Sequence, residues 1–313
     1  MPLQSRPQVL LSLITADTNY QLEQAASAER VAAKLGLAIN IEYADSDGVY
    51  QSLQILKVIQ SEQALRPDAV MVEPVGTSMV QVAQAAVKAG IGWVILNRDA
   101  DYLTKLRSCA SVPIFGVSTD NDEVGRIQGK QISALTPPGG CVLYLEGPSG
   151  SDAARHRTQG LLSVKRADIT LKHLRGGWTE AGACHAIQSW LLLGTARQVM
   201  VDIVVCQNDT MAMGARKAFE EITDAVLRER FLALPFIGCD GVPGSGQAYV
   251  RRGLMKATVI TPPLTGIALE MLAHALRSQT QPPEQTLVTP QPFPPVESLQ
   301  ASTQKREIVR HRS

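Results

Sequence analysis

The sequence predicts an α/β protein made of two doubly wound parallel-sheet lobes, and three observations lead there. Short apolar runs alternate with amphipathic stretches of about 10–15 residues along nearly all of the 313 residues, the mark of repeated βαβ units. Within the runs apolar residues are near-continuous and do not alternate with polar ones, so helices should cover both faces of each sheet. The runs number roughly ten, more than one open sheet usually holds, and two sheets of about five or six fit better.

Taken in order, Val9–Ile14 precedes a helical stretch at Leu22–Leu35, Ala38–Tyr43 precedes Gln51–Leu65, and Ala69–Val72 precedes Ser78–Ala89. Gly92–Leu96 and Ile114–Val117 complete the first set. The second set runs Cys141–Leu145, Ile169–Leu174 with Ala181–Leu193, Ile203–Cys206 with Met211–Ile222, Phe236–Cys239, and Ala257–Ile260 with Leu264–Leu276. An internal echo supports the division. Pro67-Asp68-Ala69-Val70-Met71-Val72-Glu73-Pro74 opens a βαβ unit that closes at Ile95-Leu96-Asn97-Arg98-Asp99. Val201–Asp209 opens another, closing at Ile237-Gly238-Cys239-Asp240-Gly241. Both put polar residues just beyond the carboxyl end of a strand, where doubly wound sheets hold their ligands. From Gln281 onward six prolines fall by Pro295, which reads as a returning extended segment. The last residues, 299–313, read as a disordered tail.

Composition excludes several classes of function. Thirty Lys plus Arg against 29 Asp plus Glu leave a formal charge of +1 without a basic block, so no direct nucleic-acid partner is expected. No stretch approaches the roughly 18 apolar residues of a membrane span, so the chain is not expected to be membrane-embedded. Cys109, Cys141, Cys184, Cys206 and Cys239 show neither C-x-x-C spacing nor a matching His pattern, so they read as small buried hydrophobes and not as metal ligands. The N-terminal apolar run is too short for a signal h-region with its cleavage site. Either the protein stays in the cytoplasm or a leader has been removed.

Familiar catalytic motifs are approached and missed. Gly241–Tyr249 contains G-x-G but lacks the third glycine of a dinucleotide fingerprint, and Pro243 sits in its turn. Gly125–Gln131 lacks a spacer and the Ser/Thr of a P-loop and reads as helix interior. Gly147–Ser151 has Ser where a nucleophile elbow needs its last Gly. No catalytic set and no cofactor site emerge.

A different set gathers at the strand ends: Thr15–Tyr20, Asn97-Arg98-Asp99, Arg155-His156-Arg157, Gly176-Gly177-Trp178, Asn208-Asp209 and Cys239-Asp240-Gly241. Together they supply carboxylates, amides, guanidinium groups and two aromatic rings. A hydroxyl-rich ligand asks for these groups. Each hydroxyl both donates and accepts, so Asp accepts from it, Arg donates to it and Asn does both. The C–H faces of a sugar ring lie well on an aromatic side chain. Asn208 and Asp209 also suit a plain helix cap, and Tyr20 and Trp178 also suit core packing, although their places beside turn-forming residues at element boundaries argue against it. Trp93 and Trp190 read as packing residues. A glycosidase built on Asp240 or Asp99 would need a second, differently tuned carboxylate.

These motifs resemble the type I periplasmic sugar-binding proteins, above all the ribose-type group, whose fold is shared with the ligand-binding core of lac-repressor-type regulators. The resemblance runs from about Val9 to Leu276. It is carried by Asp68–Pro74, Ile95–Arg98, Val117-Ser118-Thr119-Asp120-Asn121, Glu146–Ser151 with Ala154–Gly160, Cys206–Ala215, and Ile237–Gly241. It implies a periplasmic binding protein type I fold with lobes at 8–117 plus 262–287 and at 118–261 plus 288–298, joined by three crossovers near Ser118, Thr261 and Val288.

The ligand shell it implies is Thr18, Tyr20, Asn97 and Arg98 from one lobe and Arg157, Trp178, Asn208 and Asp240 from the other, with Thr261 at the crossover. Tyr20 and Trp178 would flank the ring. Three positions depart from the ribose-type pattern: the first loop keeps a single ring at Tyr20, Thr261 stands where a Gln is usual, and Asn97 replaces the commoner Asp. The contact set is therefore altered, and pentoses, hexoses and polyols all remain open. With 5 Phe, 6 Tyr and 3 Trp in the whole chain, a cleft with two rings suits one sugar ring and not an oligosaccharide. The function implied is non-enzymatic binding of a monosaccharide or polyol with hinge closure. The partner is an ABC permease or, alternatively, a sensor-kinase or other regulatory system. The resemblance implies a periplasmic location if a leader was removed; the five Cys and the lack of a signal h-region suit a cytoplasmic one instead.

Overall fold

A computed structural model describes residues 6–76, 79–98, 100–193 and 199–299. Asp99 and residues 300–313 of the expected tail lie outside them, whereas Leu299 is buried. In chain order the elements are β1 (Gln8–Leu13), α1 (Asn19–Leu35), β2 (Ala38–Tyr43), α2 (Gly48–Ile59), β3 (Ala69–Val72), α3 (Val80–Lys88), β4 (Gly92–Leu96), α4 (Leu103–Arg107) and β5 (Ile114–Thr119). There follow α5 (Asn121–Leu135), β6 (Cys141–Glu146), α6 (Asp152–Val164), β7 (Thr170–Arg175), α7 (Glu180–Leu191), β8 (Ile203–Cys206), α8 (Asp209–Glu220), α9 (Ala225–Leu232) and β9 (Phe236–Ile237). Last come α10 (Gly246–Arg251), β10 (Thr258–Ile260), α11 (Leu264–Ser278), β11 (Gln285–Val288) and β12 (Gln291–Phe293). Two compact units result, Met1–Thr119 with Pro263–Val288 and Asp120–Pro262 with Thr289–Ser313, so the chain passes between them three times.

The first unit holds a six-stranded parallel sheet in the order β11-β5-β4-β3-β1-β2. Its central strands β3 and β4 are apolar throughout because successive side chains enter different cores. Val9, Leu11 and Leu13 meet Ala25, Ala28 and Ala32 of α1 and Leu264, Ala268 and Leu272 of α11. Leu10 joins Val70, Val72, Trp93 and Ile95 against Ile55 and Ile59 of α2 and Val82, Ala83 and Ala86 of α3. Helix starts are set by side-chain caps: Thr18 accepts from Gln21 N–H and Asp47 from Val49 and Tyr50 N–H.

In the second unit a parallel sheet runs β7-β6-β8-β9. Leu143, Leu145, Val204 and Cys206 pack against α7 and α8 on one face, while Val142, Tyr144, Ile203 and Val205 join Ile132 of α5 and Leu161 of α6 on the other. Beyond β9, single bridges Ile237↔Ala257 and Asp240↔Ile260 lead to β10, which pairs antiparallel with β12. The sheet is therefore not parallel to its end. The returning proline-rich segment supplies the last strand, with Pro292 opposite Val259, an edge position that needs no donated N–H from proline. Coverage of both faces also fails at one edge, because Lys172, His173 and Arg175 of β7 are exposed and β6 is its sole strand neighbour among the described residues. Cys109 is exposed and Cys141 half-buried, while Cys184, Cys206 and Cys239 are buried.

Helices α5 and α6 cross at glycines. A Cβ on Gly125 would lie 2.1 Å from the Arg157 carbonyl oxygen, and one on Gly160 would lie 2.0 Å from that of Asp122. Gly125→Ala is expected to lower stability by about 2 kcal/mol, since backbone must move to admit the methyl. Gly266→Ala in α11 meets mainly the Ser27 hydroxyl, which can turn away, and should cost under about 1 kcal/mol. Urea unfolding of both variants tests the contrast; equal costs would contradict it.

Candidate ligand-binding site at the strand ends

Parallel strands bring their carboxyl-end loops to one sheet edge, and both sheets reverse direction at a switch point, between β1 and β3 and between β6 and β8. The first unit gathers Thr18 after β1, Glu73 after β3 and Asn97 with Arg98 after β4. Thr18 is the half-exposed cap of α1 and Tyr20 sits half-buried in that helix's first turn. Asn97 has φ +56°, a left-handed conformation that Asn tolerates better than most residues. Its Nδ2 donates to Glu73 Oε1 at 3.1 Å, and its backbone N–H donates to the Val117 carbonyl. Glu73 is 4% exposed and also accepts Gln21 Nε2 at 2.8 Å through Oε2. Arg98 is half-buried on the same turn.

The second unit assembles Gly147 after β6, Trp178 after β7, Gln207 and Asn208 after β8, and Asp240 beyond β9. Arg157, on α6 and 5% exposed, donates Nε to Asn121 Oδ1 at 2.9 Å and Nη1 to the Gln207 carbonyl. Its guanidinium carbon lies 5.4 Å from the Trp178 ring centroid, a cation–π distance. Trp178 has φ +70° and is half-buried against the α7–α8 core. Only glycine fits at 147, because a Cβ there would sit 2.2 Å from Trp178 Cζ2.

Asn208 caps α8 through Oδ1, which accepts Met211 N–H at 2.8 Å, and Nδ2 donates to the Trp178 carbonyl at 3.0 Å. The cap and the strand-end positions of Trp178 and Asn208 are thus one arrangement. Asp240 is 9% exposed with φ +104°. Thr261 is buried, and its backbone N–H donates to the Asp240 carbonyl at 3.0 Å while its hydroxyl reaches the same oxygen at 3.4 Å.

Residues outside the ligand shell expected from the sequence hold this cluster in place. Gln207, fully buried, accepts Gly147 N–H at 2.8 Å and donates to Tyr144 Oη at 2.7 Å, bridging the loops on either side of the switch point. Burial, against hydrogen bonds from Thr158 and Gln207, pushes the Tyr144 phenol up to about 12. Asp209 accepts Thr258 Oγ1 at 2.6 Å and Gly241 N–H at 2.8 Å. Burial, and then the neighbouring Asp240 carboxylate, hold its carboxyl well above the usual carboxylate range. The signal that could have found Gln207 and Glu73 is their type: each is polar and immediately follows an apolar strand. Among the described residues no group of three or more His, Cys, Asp or Glu could hold a metal ion, and no helix is long and apolar enough to cross a membrane.

Comparison with known proteins bears on the fold and the family. The putative rhizopine-binding protein of Rhizobium meliloti is 27% identical over 191 residues, which cover 59% of this chain and 58% of that protein. The D-allose-binding periplasmic protein of Escherichia coli K12 is 26% identical over 275 residues, 85% of this chain and 83% of its own length. Among solved structures, a periplasmic solute-binding protein of an ABC transporter from Actinobacillus succinogenes, with D-allose bound, superposes with a TM-score of 0.77 at 24% identity, covering 95% of this chain and all of that one. That likeness establishes the fold. The profile of the periplasmic binding protein domain matches residues 9–280, from β1 to just beyond α11, and the chain therefore belongs to that family.

Proposed function

We propose that the protein binds a monosaccharide or polyol, without chemical change to it, as the solute receptor of an ABC-type transporter. The observation that supports the reading is that the second unit brings together an indole ring, a charged donor and a charged acceptor: the Arg157 guanidinium lies 5.4 Å from the Trp178 ring centroid, and Arg157 and Asp240 both act electrostatically on Cys239. Thr18, Tyr20, Asn97 and Arg98 form the complementary set from the first unit. Ligand held by both units stabilises the closed arrangement, because that arrangement alone contacts it from two sides. A glycosidase would need a second carboxylate free to act. Asp209, the neighbour of Asp240, has both oxygens committed to Thr258 and Gly241. The receptor reading carries a periplasmic location with it. A regulatory effector-binding role uses the same ligand chemistry, and the five free thiols suit a reducing compartment; pull-down of a permease or of a kinase separates the two.

Calorimetry with D-allose, D-ribose, D-galactose and myo-inositol is expected to find a binder. At about 1,000-fold excess over Kd that binder adds about 4 kcal/mol of stability, read as a rise of several degrees in Tm. Asp240→Asn should abolish the response while leaving the unliganded Tm within a few degrees. Silence of the wild-type protein toward a wider panel of pentoses, hexoses and polyols would sink the proposal.

A further inference from the structure

Asn97 stands where the ribose-type pattern carries Asp, a change that by itself trades a pure acceptor for a group able to present either an oxygen or an NH2. The surrounding hydrogen bonds remove that choice. They form a chain of fixed polarity that begins at a backbone amide. Ile14 N–H can only donate, and it donates to Gln21 Oε1 at 3.1 Å. The Gln21 amide is thereby oriented, and its Nε2 faces Glu73 Oε2 at 2.8 Å. The other carboxylate oxygen, Oε1, receives Asn97 Nδ2 at 3.1 Å. A carboxylate accepts and does not donate, so Asn97 cannot turn its oxygen toward Glu73. That oxygen, Oδ1, is buried with no hydrogen-bond donor among the described residues. Glu73 is itself held from behind: its backbone N–H donates to the Ser12 carbonyl, and its carbonyl accepts Gln51 Nε2 at 3.0 Å.

We propose that Glu73 is a positioning residue which fixes Asn97 as an uncharged hydrogen-bond acceptor for a hydroxyl of the ligand. The inference rests on the ligand-binding reading above and refines it. The negative charge that the ribose-type pattern places on the contacting residue is moved one hydrogen bond back, to Glu73, and the contacting atom is a neutral amide oxygen that takes a proton donor. A ligand satisfies it by presenting a hydroxyl there; an ether or fluorine at that place cannot.

The polarity chain makes the test specific. In Glu73→Gln, Gln21 Nε2 still demands an acceptor, so the introduced amide turns its oxygen to Gln21 and its NH2 to Asn97. Asn97 must then turn its own oxygen inward and present NH2, a donor in place of an acceptor. The best binder of the D-allose, D-ribose, D-galactose and myo-inositol set should bind this variant about tenfold more weakly or worse. Asn97→Asp alone brings two carboxylates together and should weaken binding comparably, with an unliganded Tm that falls as pH rises from about 5 to 8 relative to wild type. In the double variant Glu73→Gln/Asn97→Asp, the NH2 of the introduced amide donates to the introduced carboxylate, and an acceptor again faces the ligand. Affinity should return to within about threefold of wild type and the pH effect on Tm should vanish. A purely structural role for Glu73 does not give that rescue.

Wild-type affinity in Glu73→Gln, or a double variant that binds no better than Glu73→Gln, overturns the proposal. If none of the probes binds wild-type protein, the ligand-binding reading is what fails. The contact between residues 97 and 73 is then decided on unliganded protein: a pH effect on Tm in Asn97→Asp that disappears in the double variant supports it, and a pH effect that is absent from Asn97→Asp or persists in the double variant overturns it.

Discussion

Arg157→Ala is expected to lower stability by about 3 kcal/mol and to weaken ligand binding at least 100-fold. Arg157 is 5% exposed, so its partners are out of water with it. Truncation leaves the Gln207 carbonyl and Asn121 Oδ1 without this donor, and each buried acceptor so abandoned costs about 1–3 kcal/mol. The guanidinium stacked on Trp178 is lost as well, a contact of about 1–2 kcal/mol where it is desolvated. On the proposed reading affinity falls further, because the indole loses the group that lies over it and a ligand there would lose a charged donor, worth about 1.5–3 kcal/mol. Arg157→Lys keeps the charge but not the planar fork that reaches Asn121 and Gln207 in different directions, so it should recover stability only in part. Urea unfolding and calorimetry on the two variants measure this; Arg157→Ala within about 1 kcal/mol of wild type would show that the guanidinium holds nothing.

The fold was legible because burial on both faces writes itself as continuous apolar strands. Gln8–Leu13 and Ala69–Val72 sit one residue or less from where the sequence puts them, and the strand-end positions of Thr18, Asn97, Trp178, Asn208 and Asp240 follow from the parallel sheets. The antiparallel end of the second sheet was not legible. Thr258–Ile260 and Gln291–Phe293 are three residues each, too short to show a period, and the partner strand carries a proline. Phe236–Cys239 shortens to Phe236–Ile237 because the chain after it is shaped around Asp209: a Cβ at Gly238 would lie 2.1 Å from Asp209 Oδ1. The glycines that mimic nucleotide motifs have packing roles of the same kind. Gly125 lets α5 touch α6, and Gly246 leaves room for Asp209 Oδ2, which a Cβ there would approach to 1.9 Å. Such needs arise from residues distant in sequence, and a local spacing rule cannot tell them from a phosphate-binding turn. Asn97 shows the same limit. Its identity is plain in the sequence, but which end of its amide is available depends on Ile14, Gln21 and Glu73.

Asp209→Asn is expected to gain stability over wild type as pH rises. In the folded protein the Asp209 carboxyl is held well above its ordinary value of 3.8, first by burial and then by the Asp240 carboxylate, against the hydrogen bonds from Thr258 and Gly241. The unfolded chain therefore releases this proton at a lower pH than the folded one does. Between the two values the folded state binds more protons, so wild-type stability falls as pH increases, at up to about 1.4 kcal/mol per pH unit. Below about pH 4 the contribution is fully present, and it is lost as pH climbs through the raised value. Asparagine does not titrate. Its oxygen can still accept Gly241 N–H, and its NH2 can donate to the Thr258 hydroxyl, which accepts as readily as it donates. The stability of Asp209→Asn minus that of wild type should thus grow by more than about 1 kcal/mol between about pH 4 and pH 7 in urea unfolding series. A difference that is flat or shrinks with pH would mean that Asp209 folds as an ordinary ionised carboxylate. Asp209→Ala separates charge from position. It also removes the titration, but it drops the bond to Gly241 N–H beside Asp240 at φ +104°, so alanine should weaken sugar binding where asparagine does not.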